Sequence, residues 1–210
     1  MKLVTRLLMA ASVLLLAGCF DVYQHVTKES NGHVNVYFKI AMAKAFLTMA
    51  NSSGGGTPQP PQDPFADFQN SPMVTSAKGL GSSVTRVDND SEFGVVMQSS
   101  LDLGSKPVRD AMKTPAGPMV PQVSDSGITL FFPSQTPQSN NDQNSGAVLA
   151  AFKYRLSVGK TLMPTLSKVV LRTGGTETVV AAVELPDMYL IEVPLSSVFS
   201  AADVQLVLLK

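Results

Sequence analysis

"FDVYQHVTKESNGHVNVYFKI", residues 20–40, carries the pattern that decides the fold. Val22 and Val26 on one side of "ESNG", and Val34, Val36, Phe38 and Ile40 on the other, recur every second residue, the period of half-buried strands. A two-residue Asn31-Gly32 turn would set the valines of the first strand opposite the polar positions of the second. A three-residue turn over residues 30–32, with Gly32 left-handed, shifts the register by one and aligns Val26 with Val36 and Val22 with Ile40. The apolar match selects this bulged turn, so the segment predicts an antiparallel hairpin with one apolar face.

Downstream, residues 41–50, "AMAKAFLTMA", combine strong helix formers with apolar residues at Met42, Ala45, Phe46 and Met49, which predicts a helix directly after the hairpin. Residues 63–69 add a short helical turn. Strands are expected over 83–88, 93–103, 127–132 and 148–158, the last with Phe152, Tyr154, Leu156 and Val158 on one face. The C-terminal part reads as a meander. Gly174-Gly175 is a primed-turn signal between 168–173 and 176–185, pairing Arg172 with Glu177. Pro186-Asp187 leads into 188–193, and 203–209 supplies a final strand. Polar inserts rich in Gly, Pro, Ser, Gln or Asn fall near 51–64, 104–126 and 133–146, with a possible short helix over 108–112. Strands with one early helix and no regular strand-helix alternation indicate an α+β fold with a mainly antiparallel sheet; a β-sandwich with peripheral helices is the competing arrangement.

Upstream of the hairpin, Lys2 and Arg6 precede an apolar run over residues 7–17, the pattern of a secretory signal peptide. The run is well short of the ~20 residues a spanning helix needs. It ends in Leu16-Ala17-Gly18-Cys19, which holds the chain's one cysteine. These four residues resemble the lipobox of bacterial lipoproteins. The resemblance implies removal of residues 1–18 by cleavage between Gly18 and Cys19, acylation of Cys19, and a single lipid-anchored domain over 19–210. Phe20 stands where an Asp would retain such a protein in the inner membrane, so the resemblance implies the periplasmic face of the outer membrane. Two or three acyl chains, at ~0.8 kcal/mol per buried methylene, hold a domain on a bilayer almost permanently. The hairpin-then-helix order over 19–50 is also similar to LppM-like envelope lipoproteins, at the level of pattern and without shared site residues.

Composition narrows the function. Lys and Arg number 16 against 16 Asp and Glu, and loss of Lys2 and Arg6 leaves a slightly acidic chain with no basic footprint for nucleic acid. With Cys19 acylated, no thiol remains for a disulfide, a thiolate metal site or a nucleophile. Nothing in the sequence calls for a cofactor.

The candidate metal stretch is "VDNDSEFG", where Asp88, Asp90 and Glu92 alternate as oxygen ligands for a cation such as calcium do. Gly94 and Ser99 break the EF-hand pattern, and a solvated turn explains the same residues. His25 and His33 share one face of the hairpin but stand too far apart along it to chelate one ion. "GLGSS" at 79–83 fails the spacing of a nucleophile elbow, and Val84 stands where a dinucleotide fingerprint needs its third glycine. Asp102, Asp110, Glu184 and Glu192 are the conceivable acids of a glycosidase, though Glu184 and Glu192 read as outward strand residues. The scattered methionines read as core filling. The expected function is a non-enzymatic envelope binding module for a lipid or other apolar ligand, with an assembly role beside another envelope protein as the alternative and a carboxylate hydrolase as the third reading.

Overall fold

The structure is a computed structural model that describes residues 20–52, 63–66, 68–113, 120–132, 134, 150, 152–199 and 202–210. Gly18, Cys19, the leader and most of the inserts near 51–64 and 133–146 lie outside the described residues.

The hairpin forms in the bulged register. Strand β1 (Phe20–Lys28) pairs antiparallel with β2 (Val34–Ala43), placing Val26 opposite Val36 and Val22 opposite Ile40. Gly32 adopts φ +90°, where a side chain would be strained, and its N–H donates to Glu29 O at 3.0 Å.

The ladder alters the expected helix. Ala41, Met42 and Ala43 extend β2 because they pair with Gly94, Phe93 and Glu92, and α1 (Lys44–Ser52) starts only after them. Helix propensity is a weak prior, and tertiary pairing overrides it here. The register also changes the buried face of the helix: Phe46 and Leu47 pack onto the core, whereas Ala45 is exposed.

A 3-10 turn (Phe68–Asn70) precedes α2 (Pro72–Gly79), a helix the sequence reading omitted. Its start is nonetheless encoded: the Ser71 hydroxyl accepts from Val74 N–H, and Pro72 occupies the first helical position. Strands β3 (Ser83–Asp88) and β4 (Glu92–Leu101) form the next hairpin. The stretch 104–126 is less of an insert than its prolines indicate. It holds α3 (Lys106–Lys113), with Val108 in the core, and the short strand β5 (Gln122–Ser124).

After β6 (Gly127–Phe132) and β7 (Lys153–Gly159) come β8 (Lys168–Thr173) and β9 (Thr176–Val180), joined at Gly174-Gly175 with Arg172 opposite Glu177. The single strand expected over 176–185 is two. At Ala181 the chain leaves one sheet for the other and continues as β10 (Ala182–Glu184), then β11 (Met188–Pro194), the short helix α4 (Leu195–Val198) and β12 (Val204–Leu209).

These strands make a seven-stranded sheet, β10-β11-β7-β1-β2-β4-β3, and a five-stranded sheet, β5-β6-β12-β8-β9. All pairings are antiparallel except β1 with β7, so the fold is the expected α+β type, dominated by β structure. The inward faces of both sheets contribute to one apolar cluster, bridged by an edge-to-face contact of Phe132 with Tyr154 at 5.1 Å. Within that cluster Tyr154 Oη donates to Gln24 Oε1 at 2.5 Å, joining β7 to β1 where both residues are fully buried. Burial also pushes the Tyr154 phenol well above its ordinary pKa, so it remains a donor.

Removing that donor takes one hydrogen bond from the Gln24 carbonyl in a site closed to water. Tyr154→Phe is expected to lower stability by about 1–3 kcal/mol, read as a reduced urea midpoint at unchanged slope. An unchanged midpoint would show that the pair does not hold β7 to β1.

Candidate functional site

The outward face of the larger sheet carries its polar residues in register. One row crosses all seven strands: Ser83 stands beside Gln98, Gln98 beside Tyr37, Tyr37 beside His25, His25 beside Ser157, Ser157 beside Leu190, and Leu190 beside Val183. The adjacent row toward the start of β1 brings Lys39, Tyr23, Arg155 and Glu192 side by side. Such rows follow from the two-residue period of strands once each neighbour's register is set.

At the centre, Ser157 Oγ lies 2.7 Å from Tyr23 Oη and 2.7 Å from His25 Nδ1. Ser157 itself is 1% exposed. The pair has the separation of a serine nucleophile and its base, but two neighbours already occupy the serine oxygen and little of the residue reaches solvent. It also sits mid-strand, where the ladders on both sides use backbone N–H groups that an oxyanion site would need. The network instead fixes the Tyr23 and His25 rings. Tyr23 and Tyr37 are a further 6.1 Å apart, tilted by 55°.

Beside these rings lies an open groove of about 420 Å³ whose walls include His25, Thr27, Asn35, Tyr37, Gln98 and Ser100. Its described lining contains no Asp, Glu, Lys or Arg side chain. Nearby charges include the pairs Lys39 with Glu92 at 3.0 Å, Lys153 with Glu192 at 2.5 Å, and Arg155 with Asp21, and the Glu29 carboxylate, which accepts from the amides of Asn35 and Asn31.

The metal candidates do not converge. Asp88 Oδ1 accepts from Lys44 Nζ at 2.8 Å, a bond that lowers its pKa, and Glu92 is taken by Lys39. Asp90 is exposed, and Asn89 Oδ1 closes the turn by accepting from Ser91 N–H at 2.9 Å and Glu92 N–H at 3.0 Å. The stretch is thus a β3-β4 turn with lysine-paired carboxylates; no group of three metal-binding side chains occurs among the described residues. Asp102, Asp110, Glu184 and Glu192 likewise occupy separate places, bonded to Gly104 N–H, Lys106, Lys160 and Lys153. His33 reaches Ser100 Oγ at 3.3 Å, away from the His25 network.

The register that aligns Val26 with Val36 also sets His25 opposite Tyr37, as found, but the sequence did not single out Tyr23, Ser157 or Gln98. The run of outward Tyr23, His25 and Thr27 was a visible signal. Ser157 carried none, because its neighbour is 132 residues away.

Burial holds the His25 pKa below its ordinary 6.5, opposed in part by the nearby Asp187 carboxylate. On acidification the unfolded chain therefore binds a proton at this residue before the folded one does. The stability from neutral His25 is complete above pH 6.5 and declines as pH falls from there through the folded-state value. Denaturant midpoints from about pH 7.5 to about pH 5 should drop more steeply for the native chain than for His25→Gln. Equal slopes would mean that the ring is solvated.

No protein-family model matches the chain, and no curated protein matches it. Among solved structures, the folded domain of LppM from Mycobacterium tuberculosis aligns over 91% of this chain and 91% of its own, at 13% identity and a TM-score of 0.37.

Proposed function

We propose that the chain is a bacterial envelope lipoprotein, tethered through an acylated Cys19, whose domain serves as a non-enzymatic binding module. The observation that carries this reading is the junction of Leu16-Ala17-Gly18-Cys19 with a strand that begins at Phe20. Cleavage before Cys19 would remove the leader and leave the first strand intact, one peptide bond from the lipid. Phe20 at the sorting position favours the periplasmic face of the outer membrane.

The non-enzymatic part rests on chemistry. In the contact of Ser157 with His25 the serine is closed to solvent and shared with Tyr23, the contact of His33 with Ser100 is a long one at 3.3 Å, and the acids considered for hydrolysis are each engaged elsewhere. A binding role fits the ordered, open groove of the larger sheet. An apolar ligand beneath α1 would have to displace Phe46 and Leu47 from the core, whereas the outward groove requires no rearrangement. One observation favours a second reading, assembly with another envelope protein: Val179, Val183 and Leu185 are 66%, 56% and 38% exposed along the sheet-switching segment.

The anchor is tested by feeding producing bacteria an alkyne-bearing palmitate analogue. The native chain should incorporate label and sediment with membranes, and Cys19→Ala should do neither. An unlabelled native chain would remove the lipoprotein reading.

A further inference from the structure

We propose that the groove on the outward face of the larger sheet binds a neutral oligosaccharide lying across the strands. This inference rests on the binding-module reading above and assigns its ligand class.

The groove has polar walls without a formal charge. A phosphate or a carboxylate would lose hydration there and gain no opposite charge. Gln98 and Asn35 carry amides, and Thr27, Tyr37, Ser83 and Ser100 carry hydroxyls. These groups both donate and accept, as sugar hydroxyls do. Asn35 is oriented by its Nδ2, which donates to Glu29 Oε1 at 2.6 Å, and the His33 ring meets Ser100 Oγ. Tyr37 supplies an apolar ring face beside those polar groups, suited to the C–H face of a pyranose. The Tyr23-Ser157-His25 contacts hold the neighbouring rings in place, so little side-chain entropy remains to be lost on binding.

Shape agrees with a chain rather than a single sugar. Apart from Gly81, in the turn before β3, the lining residues come from β1, β2, β4 and β3, four adjacent strands. At ~4.8 Å between neighbours they span roughly 15 Å, the length of about three sugar units in an extended β-1,4-linked chain. A protein partner would instead seek the exposed Val183, on the opposite edge of the larger sheet, and Val179, on the edge of the smaller one.

The test uses the full chain in detergent, titrated calorimetrically with chitohexaose and maltohexaose. Binding to at least one of these neutral oligosaccharides in the ~0.1–1 mM range is expected, little changed by added salt. Gln98→Ala, at an exposed position, should weaken it about tenfold, and Tyr37→Ala should do so more strongly if its unfolding midpoint stays native. Val183→Ser should bind like the native chain. Affinity that survives Gln98→Ala and Tyr37→Ala, or that collapses in salt, overturns the assignment, as does a native chain that binds neither sugar. In that last case a photocrosslinker at position 98 in living cells separates the two readings. A protein adduct overturns the glycan and keeps the binding module; no adduct overturns both.

Discussion

The parallel contact of β1 with β7 is the constraint on which the rest of the structure depends. β1 is the middle strand of the larger sheet, and its two neighbours reach it differently. β2 arrives through a three-residue turn, whereas β7 arrives after more than a hundred intervening residues, against a large loop-closure entropy. Apolar residues alone tolerate slips of two positions, because Val22, Val26, Leu156 and Val158 are nearly interchangeable in a core. The Tyr154-Gln24 hydrogen bond is less permissive, since a slip would strand two polar groups in an apolar cluster. One specific bond at the centre thus sets a register that the hydrophobic pattern leaves degenerate.

That register has consequences on the other face. With Tyr154 beside Val22, the two-residue period places Ser157 beside His25 on the outward side, and β11 then brings Leu190 into the same row. Inside, the two sheets bury a common core. Outside, no row of large apolar residues covers the sheet, and its charges are neutralised in cross-strand pairs such as Lys153-Glu192. Exposed pairs of this kind add at most about 1 kcal/mol each. Their effect here is spatial, because they confine charge to the flanks and leave the groove uncharged.

Most local structure was legible in the sequence, and most long-range structure was not. The bulged turn at Gly32, the Gly174-Gly175 hairpin and the β3-β4 pair each follow from periodicity and turn chemistry within some twenty residues. The helix start failed at Ala41-Ala43, where propensity favours helix and only pairing with β4 reveals a strand. The break at Ala181 was equally hidden: "TETVVAAVE" reads as one strand, and nothing in those residues records that its two halves join different sheets. The leftover apolar exposure of Val179 and Val183 is the residue of that crossing, because both belong to edge strands. Residues that share the groove come from four strands, so the sequence offered His25 and Tyr37 as neighbours but could not bring Gln98 or Ser157 to them.

The direction of β1 sets where the site lies relative to the proposed anchor at Cys19. β1 runs away from position 19, and at ~3.3 Å per residue His25 lies up to roughly 17 Å along it from Phe20, with Thr27 farther still. The Asp21-Arg155 and Lys153-Glu192 pairs occupy the intervening stretch, nearest the chain's entry. If Cys19 is acylated as proposed, the charged rows lie at the end of the sheet nearer the anchor and the groove lies farther along the strands from it.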